Sequence, residues 1–194
     1  MSAWHGGKGS RRTHIPHPLA DLSVLDQFKT QAFPPGYPTN HRTFFSPVDD
    51  VHGCLKYLIS QTQKSLVVAM FGFDDQELAD TLRDKLENPH CFVQLTLDQS
   101  QSTGKHEQAI LTHENYPISS VAVGHSEKGA IMHLKMCILD GVVVARGSTN
   151  WSSSGQHLQD NELTIVSDAY IAAEARARVD AIHQSMVNKA KAKR

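Results

Sequence analysis

The chain has 194 residues, 40% of them hydrophobic, which is enough for one sizeable core and gives no sign of a second one. Its formal net charge of −1 excludes a protein that binds nucleic acid through a strongly basic whole surface. No apolar run approaches the roughly 18 residues that a membrane helix needs, and no signal peptide is recognisable. We therefore expect a soluble, cytoplasmic protein without a membrane partner. Three cysteines without metal spacing predict buried free thiols: Cys54, Cys91 and Cys137.

The beginning of the chain differs in composition from the rest. Residues 1–20 are rich in Gly, His and Pro, which predicts disorder. A short amphipathic segment follows at 21–30, and the proline-rich stretch at 33–38 reads as an extended linker. We therefore expect residues 1–43 to form a partly disordered N-terminal extension, followed by a single domain over residues 44–194.

Helical and strand patterns alternate through that domain. Ser46 followed by Pro47 suits a helix N-cap with proline at the first position, and the helix would run to about Gln63. The nearly continuous apolar run at 65–73 predicts a strand that is covered on both faces. Further helices are predicted at 75–87, 103–115 and 168–191, and further strands at 90–98, 117–123, 132–139, 142–145 and 159–167. This alternation favours an α/β fold with helices flanking a mixed β-sheet.

Residues 133–150 hold the side chains with the most chemistry. His133 and Lys135 stand two apart in a predicted strand, so they share a face. Asp140-Gly141 is a strong hairpin signal, and the return strand is followed by Gly147-Ser148-Thr149-Asn150. We therefore expect an imidazole, an ammonium, a hydroxyl and a carboxamide at one place. These groups suit a phosphodiester, because the imidazole can attack phosphorus while the cation and amide neutralise the non-bridging oxygens.

Each of these residues also has a structural interpretation. A lone histidine on an apolar strand is more often packed than catalytic. A lysine in the same strand is costly to bury without an anionic partner, which favours a functional role for His133 and Lys135 together. Asp140 precedes Gly141, as a type I′ turn prefers, so a turn-forming role is at least as expected as a catalytic one.

The pattern His-x-Lys-x-x-x-x-Asp, followed closely by Gly-Ser-x-Asn, resembles the signature of the phospholipase D superfamily. From about Phe44 onward the layout is similar to the small single-motif nucleases of that superfamily, an α/β sandwich. The resemblance implies a phosphodiesterase that needs neither metal nor cofactor, above all an endonuclease cleaving DNA, with RNA left open as a substrate.

The resemblance also implies roles for individual residues. His133 would attack phosphorus and form a phosphohistidine. Lys135 and Asn150 would bind the non-bridging oxygens, with Ser148 assisting. Glu162 would hydrogen-bond His133 and fix its tautomer, although an exposed carboxylate at the start of a strand is the ordinary interpretation of that residue.

The motif occurs once, whereas a complete active site in the superfamily uses two copies. None of the other histidines has a lysine two residues further on. The resemblance therefore implies a homodimer in which two copies of His133 meet across a twofold axis in one shared site.

Two alternative functions stay open. The first is a phospholipase D-type lipid hydrolase; small lipid-hydrolysing members have an N-terminal membrane anchor, and the polar residues 1–20 favour the nuclease instead. The second is a non-catalytic dimer that binds nucleic acid, against which the intact set of His, Lys, Ser, Asn and Glu argues.

Contacts with nucleic acid are expected outside the motif. Trp151 could stack on a base, although packing in the core beside the site is the more common role for such a residue. Lys105 and Lys128 lie near predicted strand ends and are candidates for a phosphate-binding rim. No metal site is expected, because Asp49-Asp50 and Asp74-Asp75 both lie at predicted helix starts, where carboxylates favour the helix dipole.

Overall fold

A computed structural model describes residues 17–102 and 104–192 of the chain. The predicted disorder of residues 1–16 lies outside these described residues. The strands are β1 (His41–Ser46), β2 (Ser65–Met70), β3 (Phe92–Asp98), β4 (Val121–Gly124), β5 (Lys135–Leu139), β6 (Val143–Gly147) and β7 (Asn161–Ser167). The α-helices are α1 (Val51–Gln61), α2 (Gln76–Glu87), α3 (Gln99–Ser102), α4 (Lys105–Glu114), α5 (Ser153–His157) and α6 (Ala169–Ala192), and a 3-10 helix spans Leu22–Phe28.

The strands form one mixed sheet in the order β1-β7-β6-β5-β2-β3-β4, which confirms the predicted fold class. The pairs β2–β3 and β3–β4 are parallel, and all other pairs are antiparallel. As a result, β2, β3, β4 and β6 end at the same edge of the sheet at which β5 and β7 begin. We call this the upper edge; there Met70, at the end of β2, pairs with Lys135, at the start of β5. The lower edge is the opposite one.

Helices cover the two faces of the sheet unequally. The shorter helices α1, α2 and α4 pack over the larger apolar cluster, whereas α6 lies on the other face against β2, β3, β4, β5 and β6. On the α6 side, β1 and β7 present a more open surface, where the side chain of Phe45 is 49% exposed. The long helix thus covers only part of its face of the sheet.

The predicted start of the first α-helix at Ser46-Pro47 is wrong. Ser46 ends β1, and its buried hydroxyl donates to the carbonyl oxygens of Gly155 (3.0 Å) and Gln159 (2.9 Å). The helix begins at Val51, with the side chain of Asp50 as its N-cap. A serine followed by a proline is common both at helix N-termini and in turns, and here it begins the turn between β1 and α1.

Residues near the N-terminal end of the described chain belong to the core. Strand β1 crosses the boundary expected between residues 43 and 44 and pairs with β7 along its whole length. Leu19, Leu22 and Leu25 are fully buried in the same apolar cluster as Phe44. Apolar side chains before β1 therefore close one end of the core.

Two further expectations bear on the interior. The three cysteines are buried and free, as predicted. Within the described residues, no helix combines the length and the apolar composition needed to cross a bilayer.

Candidate active site

His133 lies at the upper edge of the sheet with its side chain exposed. The strand predicted from residue 132 begins only at Lys135, so His133 precedes its first residue by two positions. The imidazole packs edge-on against the ring of Phe71, with centroids 4.5 Å apart and planes inclined by 62°. The exposed imidazole thus lies in the irregular segment just before β5, where a substrate can reach it.

Lys135 is buried beside it, with 7% of the residue exposed. Its Nζ donates to the carbonyl oxygen of His133 (3.0 Å) and lies 4.7 Å from the centre of the Phe71 ring. No carboxylate of the described residues lies within ion-pair distance of this ammonium group. Burial lowers the pKa of Lys135 from its ordinary value. The site thus holds a partly desolvated cation whose charge is not neutralised by an acidic side chain.

His133 and Lys135 line an open groove of about 360 Å³, together with Arg146, Glu162 and Thr164. The carboxylate of Glu162 accepts a short hydrogen bond from the hydroxyl of Thr164. Among the described residues, no hydrogen bond joins Glu162 to His133. The structure therefore places this carboxylate in the groove of the histidine, without the orienting contact that the family resemblance implied.

The Gly-Ser-Thr-Asn turn is tied to the start of β7. The hydroxyl of Ser148 accepts from the backbone N–H of Glu162 (3.0 Å), and the hydroxyl of Thr149 donates to the carbonyl oxygen of Glu162 (2.9 Å). A Cβ on Gly147 would lie 2.1 Å from that carbonyl oxygen, so the approach requires glycine. The turn is therefore fixed by backbone contacts next to the groove.

Asn150 is fixed by the loop that follows β2. Its Oδ1 accepts from the backbone N–H of Gly72 (3.2 Å), which leaves the amide NH₂ as a donor for a ligand. A Cβ on Gly72 would come within 3.1 Å of the Asn150 side chain. The small residue between Phe71 and Phe73 thus lets the carboxamide approach the end of β2.

Trp151 occupies the core rather than the groove. It is 2% exposed and packs against Phe73, with ring centroids 5.9 Å apart. Its backbone N–H donates to the carbonyl oxygen of Gly72 (3.0 Å). Of the two roles predicted for Trp151, core packing and base stacking, the structure shows core packing. An indole buried in this way presents no face to a base.

The two lysines expected at a rim lie away from the groove. Lys105 is exposed at the start of α4, and Lys128 is exposed in the turn between β4 and β5. Neither lines the groove of His133. The structure thus shows both lysines exposed to solvent and leaves their contact with nucleic acid a prediction.

Asp140 lies at the lower edge of the sheet, one residue beyond the end of β5, and does not join the site. Its backbone is left-handed (φ 52°), as a tight turn requires. Its carboxylate accepts from the backbone N–H groups of Gln63, Lys64 and Ser65 and from Nε2 of His17 (2.7 Å). Burial acts to raise the pKa of Asp140, but these hydrogen bonds hold it below the ordinary value. The motif aspartate therefore has the structural role of joining a turn, a loop and the N-terminal segment.

Two buried carboxylates beside the site were missed from the sequence. Asp98, at the end of β3, is fully buried and accepts from the backbone N–H of Met132 (2.6 Å). Glu107 on α4 is 4% exposed and accepts from the backbone N–H of Phe73 (3.2 Å). Burial raises the pKa of Glu107 to about 7. Neither residue stands in a motif, so only the folded contacts reveal them.

One group of side chains has metal-ligand types. Asp80, His113 and Glu114 bring one ligand atom each to within 4.8 Å of the others, between α2 and α4. The amide of Gln76 donates to both carboxylates at 2.7 Å, and Arg83 lies 3.8 Å from Glu114. Among the described residues, Oε2 of Glu114 is buried without a hydrogen bond. None of the three ligand residues lines the groove of His133.

Comparison with known proteins places this geometry in a family. The family model described as "Cardiolipin synthase, PLD-like domain" matches residues 55–183. A mitochondrial cardiolipin hydrolase from Chlamydomonas reinhardtii is 24% identical over 147 residues, which cover 76% of this chain and 63% of that protein. The chain thus spans less than two thirds of the length of this curated relative.

Solved structures resemble about three quarters of the chain. Nuc from Salmonella typhimurium, a phospholipase D family member, matches with a TM-score of 0.66 and 15% identity over 75% of this chain and 94% of its own. NucT from Helicobacter pylori matches with a TM-score of 0.63 and 19% identity over 75% and 96% of the two chains. A phosphatidylserine synthase from Haemophilus influenzae gives 0.55 and 14%, over 71% and 37%. At these identities the likeness concerns the fold.

Proposed function

Because the chain belongs to this phospholipase D-like domain family, we propose that it is a phosphodiesterase that cleaves nucleic acid, with His133 as the nucleophile. One observation carries the proposal: the exposed imidazole of His133 and the buried ammonium group of Lys135 line one open groove. No carboxylate of the described residues forms an ion pair with that ammonium group. A phosphodiester bears one negative charge, and Lys135 offers it a cation that has already lost part of its hydration.

The reaction proceeds in two displacements. A ring nitrogen of His133 attacks phosphorus and forms a phosphoramidate bond, while the bond to the leaving oxygen breaks and that oxygen takes a proton from a second histidine. The same second histidine then removes a proton from water. The resulting hydroxide attacks phosphorus and releases His133. Lys135 and the amide NH₂ of Asn150 bind the non-bridging oxygens in both steps, where a metal ion would otherwise stabilise the charge.

The second histidine comes from a second copy of the chain. Of the described histidines, only His133 lines the groove. The α6-side surface of β1 and β7, next to that groove, carries the half-exposed Phe45 and is left partly open by α6. A sheet face of this kind is normally covered, and a twofold partner would cover it while bringing two copies of His133 together.

Nucleic acid is favoured over lipid by the shape and lining of the groove. It is open and bordered by Arg146 and Thr164 as well as Lys135, so a charged polymer can enter from the side. The cardiolipin hydrolase relative supports a second candidate, hydrolysis of a phosphatidyl lipid. Both substrates present the same phosphodiester to His133, and they differ in what lies on either side of it.

A single set of assays separates these candidates. Purified protein is incubated in EDTA with single-stranded DNA, duplex DNA, RNA and cardiolipin vesicles. We expect nucleic acid to be cleaved, His133→Ala to abolish cleavage, and the control His113→Ala, which alters an exposed histidine on α4, to keep it. Cleavage that requires a divalent ion or survives His133→Ala would refute the mechanism. Cleavage of the lipid alone would establish the second candidate.

The dimer is tested separately by mixing two inactive variants. His133→Ala and Lys135→Ala are each expected to be inactive as homodimers. The mechanism needs the His133 of both copies, so a mixed dimer of the two variants, which contains one His133, is also expected to be inactive. Turnover by this mixture would contradict a site in which both copies of His133 act. Full activity of a species shown by sedimentation to be monomeric would rule out the shared site.

A further inference from the structure

The segment that carries His133 is irregular, and no strand pairing holds its backbone. Residues 131–134 form no strand, and among the described residues the His133 side chain makes a ring contact with Phe71 but no hydrogen bond. The place of the imidazole therefore depends on the backbone on either side of it. On the C-terminal side, the carbonyl oxygen of Leu134 accepts from the N–H of Phe71 (2.9 Å).

On the N-terminal side the backbone is held by Asp98. One oxygen of this fully buried carboxylate accepts from the N–H of Met132 at 2.6 Å, and the other accepts from the N–H of Ser100 at 2.9 Å and from its hydroxyl. A buried carboxylate is costly unless hydrogen-bonded, and bonds to an ionised acceptor are stronger than neutral ones. Met132 is thus attached firmly to the end of β3.

This bond joins parts of the sheet that are not neighbours. Strand β3 pairs with β2 and β4, whereas β5 lies on the far side of β2. The carboxylate therefore reaches past the end of β2 to the segment that precedes β5. No strand pairing fixes residues 131–133. The side chain of Met132 packs in the apolar cluster on the α6 face, and the hydrogen bond to Asp98 fixes its backbone where the segment crosses the upper edge.

We infer that Asp98 is a positioning residue for the reaction: it holds His133 in line with the phosphorus atom through the Met132 amide. This inference rests on the proposed function, in which His133 is the nucleophile. Asp98 touches neither the groove nor the substrate, so its removal affects the attack and leaves substrate binding by Lys135 and Asn150 in place. Misplacing a reacting group by about 1 Å costs roughly 100-fold in rate.

The test compares Asp98→Ala, Asp98→Asn and the control Ser100→Ala. The readout is cleavage of whichever nucleic acid the original protein cleaves fastest among single-stranded DNA, duplex DNA and RNA. Asp98→Ala removes the acceptor, and we expect kcat to fall about 100-fold with KM within about twofold. Asp98→Asn keeps one acceptor oxygen and should recover about tenfold of that loss. Ser100→Ala loses a hydroxyl bond to Asp98 while Met132 stays bound, so kcat should stay within about twofold.

Hydrogen exchange at the Met132 amide gives a second readout, which should accelerate in step with the loss of kcat. A folded Asp98→Ala protein with the original kcat, or one that changes KM alone, overturns the inference. If that variant does not fold, Asp98→Asn decides by the same criteria. An active His133→Ala protein would instead overturn the proposed function, whatever the Asp98 variants do.

Discussion

Glu107 makes the stability of the protein depend on pH in a way that can be measured. One carboxylate oxygen accepts from the N–H of Phe73, and the other is buried without a hydrogen-bond partner among the described residues. Burial of the charge raises the pKa of Glu107 from an ordinary 4.5 to about 7. The folded protein therefore binds this proton more tightly than the unfolded chain does.

The size of the effect follows from the two pKa values. Each unit of difference corresponds to 1.36 kcal/mol, so ionisation of Glu107 costs the folded state about 3 kcal/mol above pH 7. The stabilising contribution of the protonated form is complete below pH 4.5 and is lost as the pH rises through 7. Glu107→Gln stays neutral and can still accept from Phe73. We therefore expect this variant to gain stability over the original protein as the pH rises.

The measurement is urea unfolding of both proteins between pH 5 and pH 8.5. The difference in unfolding free energy should shift in favour of Glu107→Gln by about 2 to 3 kcal/mol across this range. Glu174→Gln, which alters an exposed glutamate on α6, serves as the matched control and should show no such trend. A difference for Glu107→Gln that is the same at every pH would show that the carboxyl group is not desolvated as described.

Three further predictions concern other contacts. Asp140→Ala leaves backbone N–H groups without an acceptor and should lower the unfolding free energy by about 2 to 4 kcal/mol in urea, with kcat unchanged. Gly72→Ala should displace Asn150 and lower kcat about tenfold, while the melting temperature shifts by a few degrees at most. Burial acts to lower the pKa of His52, but the Asp75 carboxylate and the contacts with Gln156 and Glu77 together raise it. His52→Gln should therefore lose stability mainly below pH 6.5, and equal loss at pH 9 would contradict this.

The local patterns of the sequence were sufficient to predict the α/β fold, and they also indicate the residues of the proposed site. His133, Lys135 and Asn150 stand in one short stretch, and the hairpin between them brings both ends to the same edge. Periodicity also located every strand from β2 onward, within a few residues. These features depend on spacing along the chain, which a sequence displays directly.

Contacts between distant segments could not be predicted in this way. Asp98 and Met132 are 34 residues apart, and their bond depends on how far β3 extends past β2. Likewise, β1 consists of polar and aromatic residues whose strand character depends on pairing with β7, more than a hundred residues away. The sequence around Asp98 does not indicate Met132 as its partner, and the sequence of β1 does not indicate β7. Both contacts are seen only in the folded sheet.

The fold also explains why the motif has a fixed spacing although its last residue is far from the chemistry. Lys135 is the first residue of β5 and Asp140 follows its last, so the two lie on opposite edges, about 17 Å apart at 3.3 Å per residue. Lys135 meets the substrate groove, whereas Asp140 binds the loop that leads into β2. The four residues between them therefore span the sheet along the direction of the strands, from the upper edge to the lower edge. Inserting one residue in β5 would turn either the lysine or the aspartate away from its partners, because successive side chains in a strand point to opposite faces.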